Sequence, residues 1–425
     1  MKYTTTNSAL NGSVHIPGSK SHTIRAVAIA SLASGTSTIR LPLLSEDALS
    51  ARKGYTQLGA TITGDDNAWQ VVGCGGKIQI PKKAIDVGNS GTSLRMLAGS
   101  LALASGTGTL TGDYQIQRRP NAPLVKALNN LGAKVQAADE KGCAPLLITG
   151  PFSGGTTEID CLSSQYVSAI LLNAPLASND TIINVVNPNE LPYIDMTLWW
   201  LDQQNIKYKQ DGYKQFTVFG NQQYSAFDKA IPADWSSATF FLCAGAICQG
   251  SITLTGLDLS DPQGDKDVIK YLQSMGAKIE INGNNITVFK SDLNGATIDM
   301  NATPDALPAM AVTATFANSP TTLTNVKQAR IKETDRIDVM TKNLRSLGIK
   351  IDEHEDGMTI YPGQLHSGKV GGYDDHRIVM SMAIAGLAAP QDVCIEVNSA
   401  EAANVTFPEF SKLVQDLGGN LEITD

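Results

Sequence analysis

Cysteine is scarce in this sequence: six residues, at 74, 143, 161, 243, 248 and 394, with no C-x-x-C pair among them. That scatter excludes a zinc knuckle and a redox dithiol, and predicts buried, reduced thiols in a cytosolic protein. Histidine is rarer, with five residues and no two one helical turn apart. A metal centre is therefore not expected, even at Asp374-Asp-His376. No apolar run approaches the ~18 residues of a membrane span. The opening Met1-Lys-Tyr-Thr-Thr-Thr6 lacks the apolar stretch of an export signal. Positive charge is also short, 33 Lys plus Arg against 41 Asp plus Glu, for a formal net charge of −8. This excludes a protein built to coat nucleic acid or an anionic membrane. A small anionic substrate stays compatible if the cations are gathered locally.

What is present is a globular composition, 42% apolar and 17% charged over 425 residues, long enough for two or three domains. The chain also repeats itself. A helix end running into a strand appears as Leu58-Gly-Ala-Thr-Ile62, Leu131-Gly-Ala-Lys-Val135, Gln204-Asn-Ile-Lys-Tyr208, Met275-Gly-Ala-Lys-Ile279, Leu347-Gly-Ile-Lys-Ile351 and Leu417-Gly-Gly-Asn-Leu421. The second positions are spaced by 73, 73, 71, 72 and 70 residues. Each is Gly or Asn, as a left-handed helix C-cap requires. A small turn opening a Thr- and Ile-rich strand, at 34, 105, 178, 249, 318 and 390, keeps the same period of roughly 71 residues. Before each turn lies an apolar stretch: Arg25 to Ala33, Leu94 to Ala104, Val167 to Ala177, Ala238 to Cys248, Ala309 to Ala317 and Ile378 to Ala389. These are apolar all round, which predicts buried helices. Each is followed by a strand, an amphipathic helix and two further strands, with Asn282-Gly283 reading as a hairpin turn. Six α/β units suggest two lobes of three, with a boundary near 225–235.

Polar residues interrupt this pattern at one place, the start of each buried helix: Gly18-Ser-Lys-Ser-His-Thr-Ile-Arg25, Gly88-Asn-Ser-Gly-Thr92, Ser163-Ser-Gln165, Asp234-Trp-Ser-Ser237, Pro304-Asp305 and Tyr373-Asp-Asp-His-Arg377. Ser, Asn, Asp and Thr serve as N-caps, so each motif alone has a structural reading. A cap needs no Lys20, Arg25, Gln165, His376 or Arg377. Helix starts present free N–H groups and a positive dipole end, which suits anions. Two basic clusters, Gln117-Arg-Arg-Pro120 and Arg330-Ile-Lys-Glu-Thr-Asp-Arg336, add bidentate anion binders. In the second, Lys332, Glu333 and Arg336 place an acid–base pair beside an anion clamp. Gly12 to Ser21 lacks the run of a nucleotide P-loop, and Gly106 to Gly112 is a mis-spaced dinucleotide fingerprint.

At these residues the chain resembles the 5-enolpyruvylshikimate-3-phosphate synthases. The resemblance rests on Pro17-Gly-Ser-Lys-Ser21 with Arg25, Gly88-Asn-Ser-Gly-Thr92, Arg118-Arg-Pro120, Ser163-Ser-Gln165, Pro192-Tyr193, Lys332-Glu-Thr-Asp-Arg336 and Asp375-His-Arg377, in order along nearly the whole chain. It implies an inside-out α/β barrel of two lobes, each of three βαβαββ units. One lobe comprises residues 1–18 and 233–425, the other 19–232, with the active site in the cleft between them. It implies a monomeric carboxyvinyltransferase without metal or organic cofactor, in the shikimate pathway, for which glyphosate competes. Shikimate 3-phosphate would be bound by Lys20, Ser21, Arg25, Ser163, Ser164, Gln165, Tyr193, Asp305 and Lys332. Phosphoenolpyruvate would be bound by Lys20, Asn89, Gly91, Arg119, Gln165, Glu333, Arg336, His376 and Arg377. Lys20, Asp305, Glu333 and His376 are the expected catalytic groups.

Three positions depart from the pattern of better-known members. Glu190-Leu191 stands where Ser-Lys is usual, and a carboxylate there should repel phosphate unless it turns away or pairs with a base. Val405 replaces a Lys. Ser21-His-Thr-Ile-Arg25 replaces the commoner Ser-x-Ser-Asn-Arg. The rivals are the cell-wall relative acting on a UDP-amino sugar, a divergent carboxyvinyltransferase with another acceptor, and a non-catalytic anion-binding protein. The first carries Lys-Asn where this chain has Lys20-Ser21, and the last has no need of Lys20, Asp305 and Glu333.

Overall fold

A computed structural model describes residues 1–425. The chain divides into two compact units, Gly18–Ile231 and Met1–Pro17 with Pro232–Asp425. Each has its own continuous apolar core and three four-stranded sheets.

One repeat shows how the sequence makes each sheet. Strand Gly155–Asp160 leads into the apolar helix Ser164–Asn173, which returns the chain to strand Thr181–Val186 in parallel. The amphipathic helix Leu191–Gln203 follows, then the hairpin Tyr208–Asp211 and Gln215–Val218, whose second strand pairs antiparallel with Thr181–Val186. A βαβ crossover plus a hairpin thus closes this sheet, and the sheets around Thr107–Thr111 and Thr321–Thr324 are built the same way. Along Thr181–Val186 the alternate residues Thr181, Ile183 and Val185 are buried, while Ile182 and Asn184 are half-buried and Val186 is exposed.

The crossover helices are Lys20–Leu32, Gly91–Leu103, Ser164–Asn173, Trp235–Ile247, Leu307–Thr315 and His376–Ala388. Trp235–Ile247 and Leu307–Thr315 are buried at every position, and the others nearly so. Each begins two to five residues before the apolar stretch read from sequence, which brings the polar motifs into the first turn. Close packing is built in: a Cβ at Gly99 would lie 2.8 Å from the Ala169 carbonyl of the neighbouring helix. The third helix ends sooner than expected, at Asn173. Pro175 has no N–H to continue the ladder, and Ala174–Leu176 tightens into a 3-10 turn. All six marker positions, Gly59, Gly132, Asn205, Gly276, Gly348 and Gly418, have positive φ. In the hairpin after Lys278–Asn282, the two-residue loop is Gly283-Asn284, one residue later than read, with Gly283 at φ 59°.

Two sheets are completed from a distance. Ala9–His15 lies parallel to Gln249–Thr255, and Lys2–Thr6 pairs with Cys394–Val397 and Leu421–Thr424. Reciprocally, Asp228–Ala230 returns to pair with Thr36–Arg40. The six cysteines are free; four are buried, but Cys74 and Cys394 are half-buried, so the expectation of wholly buried thiols is corrected there. No helix is long and apolar enough to cross a membrane.

Candidate active site

In Gly18–Ile231 the predicted residues gather at three helix starts. Lys20, the first residue of its helix, reaches Asp47 Oδ2 at 3.1 Å. Asp47 is buried in the first turn of Glu46–Gln57. Arg25 lies one turn further on and is buried. Its Nε donates to Thr197 Oγ1 at 2.9 Å, Nη1 to the Ser21 carbonyl at 3.1 Å, and Nη2 to the Tyr193 carbonyl at 3.1 Å and Ser168 Oγ at 3.3 Å. Burial pulls its pKa down to about 10. Arg25 therefore ties Ser21 and Tyr193 together across two helices. The residues between Ser21 and Arg25 face inward: His22 accepts from Trp200 Nε1 at 3.0 Å, and Thr23 bonds Ser19 and Leu43. This unusual stretch is a packing solution.

At the second helix start, Arg119 Nη2 donates to Asn89 Oδ1 at 3.1 Å, and Asn89 Nδ2 donates to Asp113 Oδ2 at 2.7 Å. A Cβ on Gly91 would stand 2.7 Å from Arg119 Nη1 and 3.1 Å from Arg95 Nη1. Glycine here admits two guanidinium groups against the helix. Arg95, which sequence reasoning missed, donates through Nη1 to Gln165 and through Nε to Asn121 Oδ1 at 2.9 Å, above the Tyr166 ring. Its position one turn after Gly91 was the available signal. At the third start, Glu190 is buried and its Oε2 accepts from Ser164 N at 3.0 Å, Ser164 Oγ at 2.7 Å and Ser163 Oγ at 3.5 Å. The carboxylate does not turn away from the two serines; it sits on them.

The other unit brings together Asp305, Lys332, Glu333, Arg336, His376 and Arg377. Arg336 is 1% exposed. Its Nη1 donates to Asp305 Oδ1 at 2.8 Å, its Nη2 to Glu333 Oε2 at 2.6 Å, and its Nε to Asp375 Oδ2 at 2.8 Å. Burial alone would weaken the Arg336 charge, but Asp375, Glu333 and Asp305 outweigh it and hold the pKa above the ordinary value. Arg377 Nη2 lies 3.1 Å from Asp305 Oδ2, and Lys332 Nζ 3.8 Å from Asp305 Oδ1. Burial raises the Asp305 pKa, Glu333 adds to that, and the cations Arg377, Lys332 and Arg336 more than reverse it. Asp305 is thus held well below the usual carboxylate range. His376 is buried at the first turn of its helix, with Nδ1 3.9 Å from Asp375 Oδ1.

Asp375 caps that helix through the Arg377 amide, at 3.0 Å, and receives Thr334 Oγ1 at 3.0 Å. Of the candidate metal ligands Asp374 to His376, Asp375 is thus drawn into ion pairing with Arg336. No group of three or more His, Cys, Asp or Glu is arranged to hold a metal. Val405 is half-buried in the 3-10 turn Ala400–Val405 and adds no charge.

Asp265 was also missed. It is buried, accepts from Ser236 Oγ at 3.0 Å, and Ser236 Oγ in turn receives Arg377 Nη2 at 3.0 Å. Burial, with Asp305 adding repulsion, raises its pKa from 3.8 to about 6 despite Arg377. The folded chain therefore holds this proton more tightly than the unfolded chain. Stability is lost as pH climbs from about 4 through 6 and the deficit is complete above that. Asp265→Asn escapes it. The variant is expected to be up to about 3 kcal/mol more stable at pH 8, the advantage vanishing by about pH 4. Melting curves at both pH values check this.

Residues 4–413 match the family model described as EPSP synthase (3-phosphoshikimate 1-carboxyvinyltransferase). The chain belongs to the EPSP synthase family. The 3-phosphoshikimate 1-carboxyvinyltransferase of Ruminiclostridium cellulolyticum is 50% identical over 98% of each chain, and that of Acetivibrio thermocellus 50% over 97% of each. Among solved structures, the EPSP synthase of Acinetobacter baumannii is 29% identical, with a TM-score of 0.83 over the full length of both chains. The EPSP synthase fold, three βαβαββ repeats per lobe, is the arrangement described above.

Proposed function

We infer that the chain transfers the carboxyvinyl group of phosphoenolpyruvate to the 5-hydroxyl of shikimate 3-phosphate, releasing phosphate, and that it does so in the cytosol as a single chain. Full-length identity to the named relatives supports the reaction. The observation that carries the chemistry is the cluster in which Asp305, Lys332, Glu333, Arg336 and Arg377, from three separate segments, meet within ion-pair distance.

The reaction is addition followed by elimination. The 5-hydroxyl attacks C2 while C3 gains a proton, and phosphate then leaves as C3 gives up a proton. Asp305 receives the hydroxyl proton, and Lys20 and Glu333 serve the methylene carbon. His376, at the same helix start as Arg377, supports the group-transfer end. Arg119, Arg336, Arg377 and Lys20, with Asn89, Gly91 and Gln165, hold the carboxylate and phosphate of phosphoenolpyruvate and stabilise the developing charge. Ser21, Arg25, Ser163, Ser164, Tyr193 and Lys332 hold the acceptor.

Asp305 is a weak base while three cations grip it. Arriving anions draw Arg336, Arg377 and Lys332 toward themselves and loosen that grip, so basicity rises when both substrates are in place. The test is phosphate release from phosphoenolpyruvate. Release that requires shikimate 3-phosphate, one phosphate per carboxyvinyl product, is the expected result. No acceptor-dependent release would remove the reading, and release with a different acceptor would redirect it to a divergent enzyme. Glyphosate is expected to compete with phosphoenolpyruvate in the same assay.

A further inference from the structure

We propose that Glu190 is a built-in occupant of the seat that takes the acceptor's phosphate, so that shikimate 3-phosphate binds only as this side chain leaves. The proposal rests on the reading of Ser163 and Ser164 as acceptor ligands. Two hydroxyls and one backbone amide at the start of a buried helix are the donor set that a phosphate oxygen takes. In this structure all three are directed at one oxygen, Oε2 of Glu190. The carboxylate is therefore bound as an anion ligand would be, but by its own chain.

The placement is held by the backbone as well. Glu190 is the N-cap of helix Leu191–Gln203, where its carbonyl accepts from Tyr193 N at 3.0 Å. Its φ of 53° and ψ of 43° put it in the left-handed region, uncommon for a residue with a long side chain. That conformation sends the carboxyl from the start of one helix to the start of another. The side chain is only 1% exposed, so the contact is a seated one and not a surface encounter. A phosphate dianion and this carboxylate cannot share the same three donors, because like charges at hydrogen-bond distance repel and the donors are already committed. Rotation about the side-chain torsions of Glu190 frees the donors without moving the backbone that holds Tyr193.

The consequence is quantitative. If the seat is open in a fraction f of molecules, the apparent dissociation constant is the intrinsic one divided by f. An occupant seated about 90–99% of the time weakens acceptor binding roughly 10- to 100-fold. Glu190 would then set the concentration at which the enzyme responds to its phosphorylated substrate.

The experiment uses the full chain with shikimate 3-phosphate and, as a control, shikimate without the phosphate. Glu190→Gly removes the carboxylate and suits the positive φ; Glu190→Gln keeps the shape and removes the charge. Calorimetry is expected to show shikimate 3-phosphate binding at least ~10-fold tighter to the Gly variant and at least ~3-fold tighter to the Gln variant. Shikimate binding should shift less than twofold, and the gain should appear in KM for the acceptor but not for phosphoenolpyruvate. Equal or weaker binding of shikimate 3-phosphate by the folded variants overturns the proposal, as does an equal gain for shikimate. Adding Ser164→Ala to Glu190→Gly separates the two layers. Loss of the gained affinity supports the seat. If the double variant binds as tightly as Glu190→Gly, Ser164 is no phosphate ligand, and the site reading falls with the proposal.

Discussion

Arg336→Met is expected to lower the thermal unfolding midpoint by about 10 °C near neutral pH, from a destabilisation of about 3–5 kcal/mol. Arg336 is the shared partner of three carboxylates, Asp305, Glu333 and Asp375, none more than 17% exposed. Taking Arg336 from this cluster leaves the fully buried Asp375 without the guanidinium that pairs with it. That is a larger penalty than the net worth of the pairs. Arg377 and Lys332 still neutralise part of Asp305, but Asp375 loses both guanidinium bonds that bracket its two oxygens. The deficit should shrink as pH falls toward 4, because the stranded carboxyls can then take up protons. Arg336→Lys keeps the charge but cannot reach three partners in a plane, so it should fall between. A midpoint within about 2 °C of the parent for Arg336→Met would mean that the cluster rearranges without cost.

Much of this architecture could be read from the chain because it is written six times. A glycine or asparagine at the left-handed helix end is forced by backbone sterics. Helices apolar on every side have nowhere to go but inside. The first turns of those helices were legible as polar exceptions for the same reason: Lys20, Asn89, Ser163, Asp305 and His376 interrupt an otherwise apolar pattern. What the sequence could not show is pairing between distant segments. Asp47 beside Lys20, Arg95 beside Gln165 and Asp265 behind Ser236 carry no local signature, since each is an ordinary charged residue on its own element. Glu190 was recognisable as out of place, but its destination depended on a left-handed residue and a helix start 26 positions earlier. The returning strand Asp228–Ala230 was equally hidden, because three residues are too short to carry a periodicity.

The same contrast bears on the chemistry. Asp305 looks like a general base in sequence, yet in the fold it is among the most stabilised carboxylates of the chain. On the proposed reading, it acts as a base only once the substrates draw its cations away. Lys20 and Glu333 are differently placed: Lys20 pairs with Asp47 and Glu333 with Arg336, and both are partly exposed. On the proposed reading, these two groups serve the methylene carbon of phosphoenolpyruvate.

Lys20→Ala and Glu333→Gln therefore measure the central claim, that residues at these helix starts perform the group transfer. Loss of a positioned acid–base group lowers turnover by about 100- to 10,000-fold. The decisive measurement is kcat for carboxyvinyl transfer in each variant, with calorimetric binding of shikimate 3-phosphate and a melting curve to show that the fold survives. The expected result is a fall in kcat of at least ~100-fold for each, with Glu333→Gln binding the acceptor within a few-fold of the parent. Turnover near the parent value in both folded variants would contradict the account.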